Sequence, residues 1–310
     1  MTNYLITGGA GFIGSNLINN LLKDSNNIIV IDNLITGDLD NIRKFKNESN
    51  FEFINHDIQQ PIYLEQNIDY VVHLASCASP KAYAKYPINT LKSGSIGTIN
   101  ALGISKYHKA KFFLASTSEI YGDPEVSPQN EQYWGNVNTL GPRSMYDESK
   151  RFAESATHSY KVTHGLHTNI ARIFNTYGPN MKLDDGRVVT NFICQALIGE
   201  NITVYGKGNQ TRSFSYIDDT VDGILKVIHY GSSDVFNIGN ENEITILNLA
   251  ETIIKLTNSN SKIILKDLPL DDPKQRKPDL TKAKNLLDFQ PQTSLEDGLK
   301  ITIDWVSKQL

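Results

Sequence analysis

The sequence predicts an α/β protein, a doubly wound parallel sheet with a smaller, interleaved C-terminal lobe. Three observations carry this reading. Short runs rich in β-branched and aromatic residues alternate with longer stretches of helical periodicity. The first run leads at once into a glycine-spaced turn and an amphipathic stretch, "YLITGGAGFIGSNLINNLL". Beyond Asn175 the alternation loosens into loops, short strands and separate helices. Alternating strands and helices imply parallel pairing, because a parallel crossover needs a long connection, usually a helix.

Taken in order, "YLIT", "IIVID", "FEFI", "YVVHLA", "KFFLAS" and "TNIARIF" are the six strands of the main sheet. The C-terminal part contributes "GRVVTNFICQALIGE" and "NLAETIIKL" as helices and "ITVYG", "SFSYI" and "VFNIG" as short strands. We divide the chain into a dinucleotide-binding domain over 1–175 and a substrate-binding lobe over 176–310, with segments around 213–240 returning to the first domain. The polar stretch "DLPLDDPKQRKPD" reads as a flexible loop.

At 310 residues the chain can bury a sizeable core, as one large unit or two intimate domains. With 39% hydrophobic and 21% charged residues it is neither disordered nor fibrous. A net charge of -4 gives no reason to expect nucleic acid or an anionic membrane as partner. No stretch of roughly 18 apolar residues is present, and the N-terminus lacks a basic segment followed by an apolar one. Two cysteines, Cys77 and Cys194, make neither a disulfide framework nor a metal site, and the histidines lack ligand spacing. A cytoplasmic protein without bound metal is expected.

Gly8, Gly11 and Gly14 occupy the turn between the first strand and the first helix. Glycine lets backbone N–H groups approach a pyrophosphate, whose charge a helix N-terminus favours. Asp32, about 20 residues on at the end of the second strand, is suited to accept from ribose hydroxyls. Its charge would repel a 2′-phosphate, so NAD is expected rather than NADP.

Tyr146 and Lys150, four apart in a helical segment, share one face. A phenol is a poor base at neutral pH unless positive charge nearby favours the phenolate, which a lysine and a nicotinamide cation would do. Thr117, at the end of "KFFLAST", is placed to share a substrate hydroxyl with Tyr146.

Together these segments resemble the nucleotide-sugar branch of the extended short-chain dehydrogenases/reductases, and within it the UDP-glucuronate decarboxylases. The resemblance covers nearly the whole chain, through "TGGAGFIGSNL", "LASTSEIYGDPE", "GPRSMYDESKR", "ARIFNTYGP", "DDGRVVTNFI", "TVYGKGNQTRSF" and "DDPKQRKPD". It implies a Rossmann domain, and NAD-dependent conversion of UDP-glucuronate to UDP-xylose. C4 is oxidised, carbon dioxide leaves the 4-ketone, and hydride returns to C4.

Dehydratases of this kind carry Asp-Glu after the threonine, because expelling a hydroxyl needs an acid. Here Ser118 precedes Glu119. Carbon dioxide leaves without a proton, and a second carboxylate would repel the substrate's own. The resemblance makes Glu119 a helper in positioning or in proton transfer around C5. Two other readings stand beside this one, a nucleotide-sugar 4,6-dehydratase or 4-epimerase, and a non-catalytic NAD-binding scaffold. Ser118 disfavours the first, and the intact set Thr117, Tyr146 and Lys150 disfavours the second.

The resemblance also places Phe12, Ile13, Asn33, Thr36, Gly37, Asp57, Ile58, Leu74, Ser76, Ala115 and Thr176 along the dinucleotide. Asp38 stands where relatives carry a basic residue, and Cys77 where they carry a proline. On the substrate side it places Tyr83, Lys92, Asn175, Arg187 and Tyr205, with Arg212 and Arg276 binding diphosphate or carboxylate. It further implies a homodimer through the Tyr146 helix and its neighbour.

Overall fold

The computed structural model describes residues 1–268 and 275–310, so 269–274 of the expected flexible loop and of the "DDPKQRKPD" match lie outside the described residues. Its main sheet has seven strands. They are β1 (Asn3–Thr7), β2 (Asn27–Asp32), β3 (Phe51–Asn55), β4 (Tyr70–His73), β5 (Lys111–Thr117), β6 (Thr168–Ile173) and, last in the chain, Val235–Ile238. The spatial order is β3, β2, β1, β4, β5, β6 and Val235–Ile238, with every pair parallel. A sheet covered on both faces needs apolar strands, and "LIT", "IIVI" and "FFLA" supply side chains that are almost wholly buried.

The strand order reverses between β1 and β4. A crevice therefore opens beyond the carboxyl ends of these strands, where a doubly wound sheet binds its ligand. Just below it, the His73 ring joins β4 to its neighbours, with Nδ1 2.7 Å from Thr7 Oγ1 and Nε2 3.1 Å from Thr98 Oγ1. Burial, with a smaller effect of Lys150, lowers its pKa to about 3, so the ring is neutral and structural.

Helix α1 (Phe12–Lys23) lays Leu17, Ile18 and Leu21 on one face of the sheet. The other face is covered by Ala101 and Leu102 of the helix Thr98–His108 and by Ala153 and Ala156 of the helix Ser144–His164.

Past residue 175 the chain builds small paired strands. Thr211–Ser213 runs between Glu243–Thr245 and Gln275–Arg276, and Ile202–Tyr205 pairs with Ile263–Lys266. The expected strand "SFSYI" is broken at Phe214. Ser213 pairs with Glu243, whereas Ser215 pairs with Thr176, so the two halves belong to different sheets. Helix Ile217–His229 packs on α1, and Val235–Ile238 completes the main sheet beside β6. One apolar cluster joins Leu17 and Ile18 of α1 to Val221, Phe192, Ile253 and Leu299. Among the described residues no helix is long and apolar enough to cross a membrane.

Candidate active site

A cleft of about 1070 Å³ opens at the strand reversal. On its dinucleotide side the chain turns at Gly8, whose φ of 74° suits glycine. A Cβ there would lie 2.7 Å from the Ala75 backbone, so the turn after β1 rests directly on the loop after β4. A Cβ on Gly14 would lie 2.6 Å from Gly8 O. The α1 N-terminus begins after Gly11 with no side chain capping it, which leaves its N–H groups directed at the cleft.

Asp32 is buried, and its carboxylate accepts from Ala10 N at 3.0 Å and Leu34 N at 2.9 Å. Burial raises its pKa, and the two backbone donors oppose that rise. Gly37 packs so closely that a Cβ would lie 2.9 Å from both carboxylate oxygens. Asp38 caps a short helical turn by accepting from Asp40 N. The hydroxyl of Ser76 is buried without a hydrogen-bond partner among the described residues. An uncapped helix N-terminus, a glycine cradle, an acid at ribose distance along the chain and an unsatisfied buried hydroxyl together fit a dinucleotide.

The residues expected to be catalytic assemble at the ends of β5 and the helix Ser144–His164. Tyr146 is buried, hydrogen-bonded to Thr117, and stacked on Tyr83 with centroids 5.4 Å apart. Lys150 Nζ donates to Ala115 O at 2.8 Å and lies 6.0 Å from the Tyr146 ring centroid. Burial lowers its pKa to about 8. Burial also raises the Tyr146 phenol, while the Thr117 hydrogen bond lowers it. The expectation pairs Lys150 with a nicotinamide cation as the charges that favour the phenolate; in the chain alone burial is the largest influence, and the phenol stays protonated.

Beside them Glu119 is gripped by two guanidinium groups. Arg276 Nη1 and Nη2 lie 2.5 and 3.0 Å from its two oxygens, and Arg143 Nη2 lies 2.7 Å from Oε1. Burial would raise this carboxyl, but Arg276 and then Arg143 outweigh it and hold the group well below the usual carboxylate range. Glu119 is therefore held as an anion between the two guanidinium groups. Asp147, also buried, has one carboxylate oxygen with no hydrogen-bond partner among the described residues. Burial and the Glu119 charge hold its carboxyl above the ordinary range.

Of the residues expected from the sequence, the cleft lining brings together all but one. Lys92 is the exception. It ends the helix Pro87–Lys92, is exposed, and is not among the residues that line the cleft. Arg187 lines the cleft while pairing with Asp185 and donating to Ala78 O at 2.9 Å, which fastens two rim loops together. Tyr205 stands half-exposed at the rim. Cys77 is a buried thiol raised by burial, with a hydrogen bond to Thr90. Sequence reasoning missed Arg143 and Asp147, although both lie in the quoted stretch "GPRSMYDESKR". Their proximity to Tyr146 was the available signal.

The model of the GDP-mannose 4,6 dehydratase family matches residues 5–302. UDP-glucuronic acid decarboxylase 1 of Danio rerio is 50% identical over 99% of this chain and 73% of its own length. UDP-glucuronic acid decarboxylase 5 of Arabidopsis thaliana is 49% identical over 96% and 87%. Among solved structures, UDP-glucuronic acid 4-epimerase from Bacillus cereus, in complex with UDP-glucuronic acid and NAD, superposes with a TM-score of 0.90 at 29% identity, covering all of both chains. UDP-glucose 4-epimerase from Thermotoga maritima gives 0.92 at 30% identity, covering 99% of each. On this fold, this cleft and these likenesses, the chain belongs to the GDP-mannose 4,6 dehydratase family and, within it, to the UDP-glucuronic acid decarboxylases.

Proposed function

We propose that the chain decarboxylates UDP-glucuronate to UDP-xylose in the cleft, with NAD as a recycled cofactor. The observation that carries this is the pairing of Ser118 with a Glu119 already bound by Arg276 and Arg143. The site thus presents a hydroxyl and cationic groups, rather than a free acid, to the sugar. That suits a substrate carboxylate and a leaving group that needs no proton.

The Gly8–Gly14 turn and the α1 N-terminus would hold the pyrophosphate, and Asp32 the adenosine ribose. When bound, NAD accepts hydride from C4, returns it later, and adds positive charge beside the phenol. Tyr146 Oη takes the proton of the C4 hydroxyl, with Thr117 sharing the hydrogen bond, and gives it back at the end. Lys150 keeps positive charge on that face while bonded to Ala115 O. Arg276 and Arg212 orient the substrate's anionic groups, and Glu119 orients Arg276. As carbon dioxide leaves, the electrons of its bond pass into the C4–C5 enolate, and a proton taken up from solvent is added at C5.

Mixing the protein with UDP-glucuronate and NAD, and following carbon dioxide and the nucleotide sugar by NMR, tests this. UDP-xylose and carbon dioxide in equal amounts without net NADH are expected. A sugar epimerised at C4 with its carboxylate retained would replace this reading with that of an epimerase.

The same proposal includes a homodimer through the helices Ser144–His164 and Thr98–His108, supported by exposed Phe152 and Ile99. Sedimentation of a Phe152→Glu variant as monomer would support it. Residence in the reducing cytoplasm is part of the proposal too, supported by the unpaired Cys77 and Cys194.

A further inference from the structure

Arg276 reaches Glu119 across 157 residues of chain, and the surroundings of its strand show how it is aimed. Along a strand, successive side chains point to opposite faces. The neighbours of Arg276 both turn to one acid on the lobe, with Gln275 Nε2 3.0 Å and Lys277 Nζ 3.4 Å from the Glu243 carboxylate. Arg276, between them, points the other way, into the cleft.

The opposite side of the strand is held by Gln129, which is fully buried. Its backbone N–H donates to Lys277 O at 2.9 Å, and its carbonyl accepts from Asp279 N at 2.8 Å. Its side-chain oxygen accepts from Lys277 N at 2.9 Å, while its amide nitrogen donates to Val126 O at 2.7 Å. Asn237 Nδ2 adds a further bond to the Gln129 carbonyl. Every polar group of Gln129 is engaged, and most of them fix the segment that follows Arg276. A glutamine used in this way is more than a filler of buried space.

We propose that Gln129 and Glu243 form a two-sided clamp that positions Arg276 against Glu119 and the substrate's carboxylate. Gln129 is thereby a positioning residue for decarboxylation, although it touches no reacting atom. This rests on the decarboxylase reading above. Misplacement of a distant group by about 1 Å can cost up to about 100-fold in rate, so loss of the clamp falls on the acidic sugar and not on the nucleotide.

The test uses the full chain with NAD. The native protein, Gln129→Met and Glu243→Gln are compared in kcat and KM for UDP-glucuronate, and in Kd for UDP and for UDP-glucuronate. Methionine keeps the shape of glutamine while removing both side-chain hydrogen bonds. The expected result is a loss of about 10- to 100-fold in kcat/KM for both variants. UDP-glucuronate affinity should weaken relative to that of UDP, with UDP Kd unchanged within about twofold. Unchanged kcat/KM, or equal weakening of UDP and UDP-glucuronate, overturns the clamp. If Gln129→Met does not fold, the Glu243→Gln result decides by the same criteria. Absence of decarboxylation by the native protein removes the underlying reading and the clamp with it. Normal native turnover with unaffected variants removes the clamp alone.

Discussion

Tyr83 and Tyr146 lie ring on ring, with centroids 5.4 Å apart and planes inclined by 16°. The Tyr146 phenol is thus held by a side chain that is itself buried. Removing a buried aromatic ring costs about 3 to 5 kcal/mol, and a stacked pair contributes about 1 kcal/mol beyond its burial. Tyr83→Ala should lower unfolding free energy by about 3 kcal/mol, and reduce kcat because Tyr146 is no longer confined. Tyr83→Phe, which keeps the ring, should behave nearly as the native chain in chemical denaturation and in turnover.

Tyr146→Phe removes only the hydroxyl to which the proposed mechanism gives the proton exchange. Turnover should fall by about a thousandfold or more, the range associated with losing a general base, while NAD affinity by calorimetry stays within about threefold of native. Near-normal turnover would exclude Tyr146 as the base.

In the proposed reading Asp32 discriminates between dinucleotides by charge. NAD should bind far better than NADP, and Asp32→Asn should narrow the ratio of their dissociation constants by weakening NAD and relieving the repulsion of a 2′-phosphate. Equal affinity of the native chain for both dinucleotides would contradict the role given to this carboxylate.

Ser118 is buried beside Glu119. Ser118→Asp would add a second carboxylate where the sugar acid is to bind, and like charges brought together cost several kcal/mol. Carbon dioxide release from UDP-glucuronate should fall at least about tenfold, mostly through KM. An unchanged KM would sink the electrostatic argument for a hydroxyl at this position.

Asp147 makes stability depend on pH. Its carboxyl is raised in the folded state by burial and then by Glu119, whereas the unfolded value is about 3.9. Below the unfolded value both states are protonated and nothing is lost. As pH rises from there towards the folded value only the unfolded chain releases its proton, so stability falls, and the cost is complete above the folded value. Asp147→Asn removes this cost, so its gain in melting temperature over the native chain should grow between about pH 4 and pH 8. A gain that does not vary with pH would show that Asp147 ionises normally.

The parts legible in the sequence are those encoded locally. The Gly8 turn, Asp32 at a strand end and the Tyr146–Lys150 spacing each lie within one strand–turn–helix unit, where chain spacing fixes geometry. The grip of Arg276 and Arg143 on Glu119 was not legible, because it joins three separate segments and one member comes from the far lobe. Strands of two or three residues, such as Thr176–Tyr177 and Gln275–Arg276, are too short for any periodicity to show.

The outermost strand of the main sheet, Val235–Ile238, is made more than 60 residues after its neighbour β6. Until the ribosome has delivered it, β6 presents an open edge of unpaired backbone groups, a template for association with other chains. A nascent or truncated chain ending near residue 200 should accordingly aggregate or engage holdase chaperones. One that extends past Ile238 covers the β6 edge with a strand of its own, so late synthesis is the vulnerable interval in the life of this enzyme.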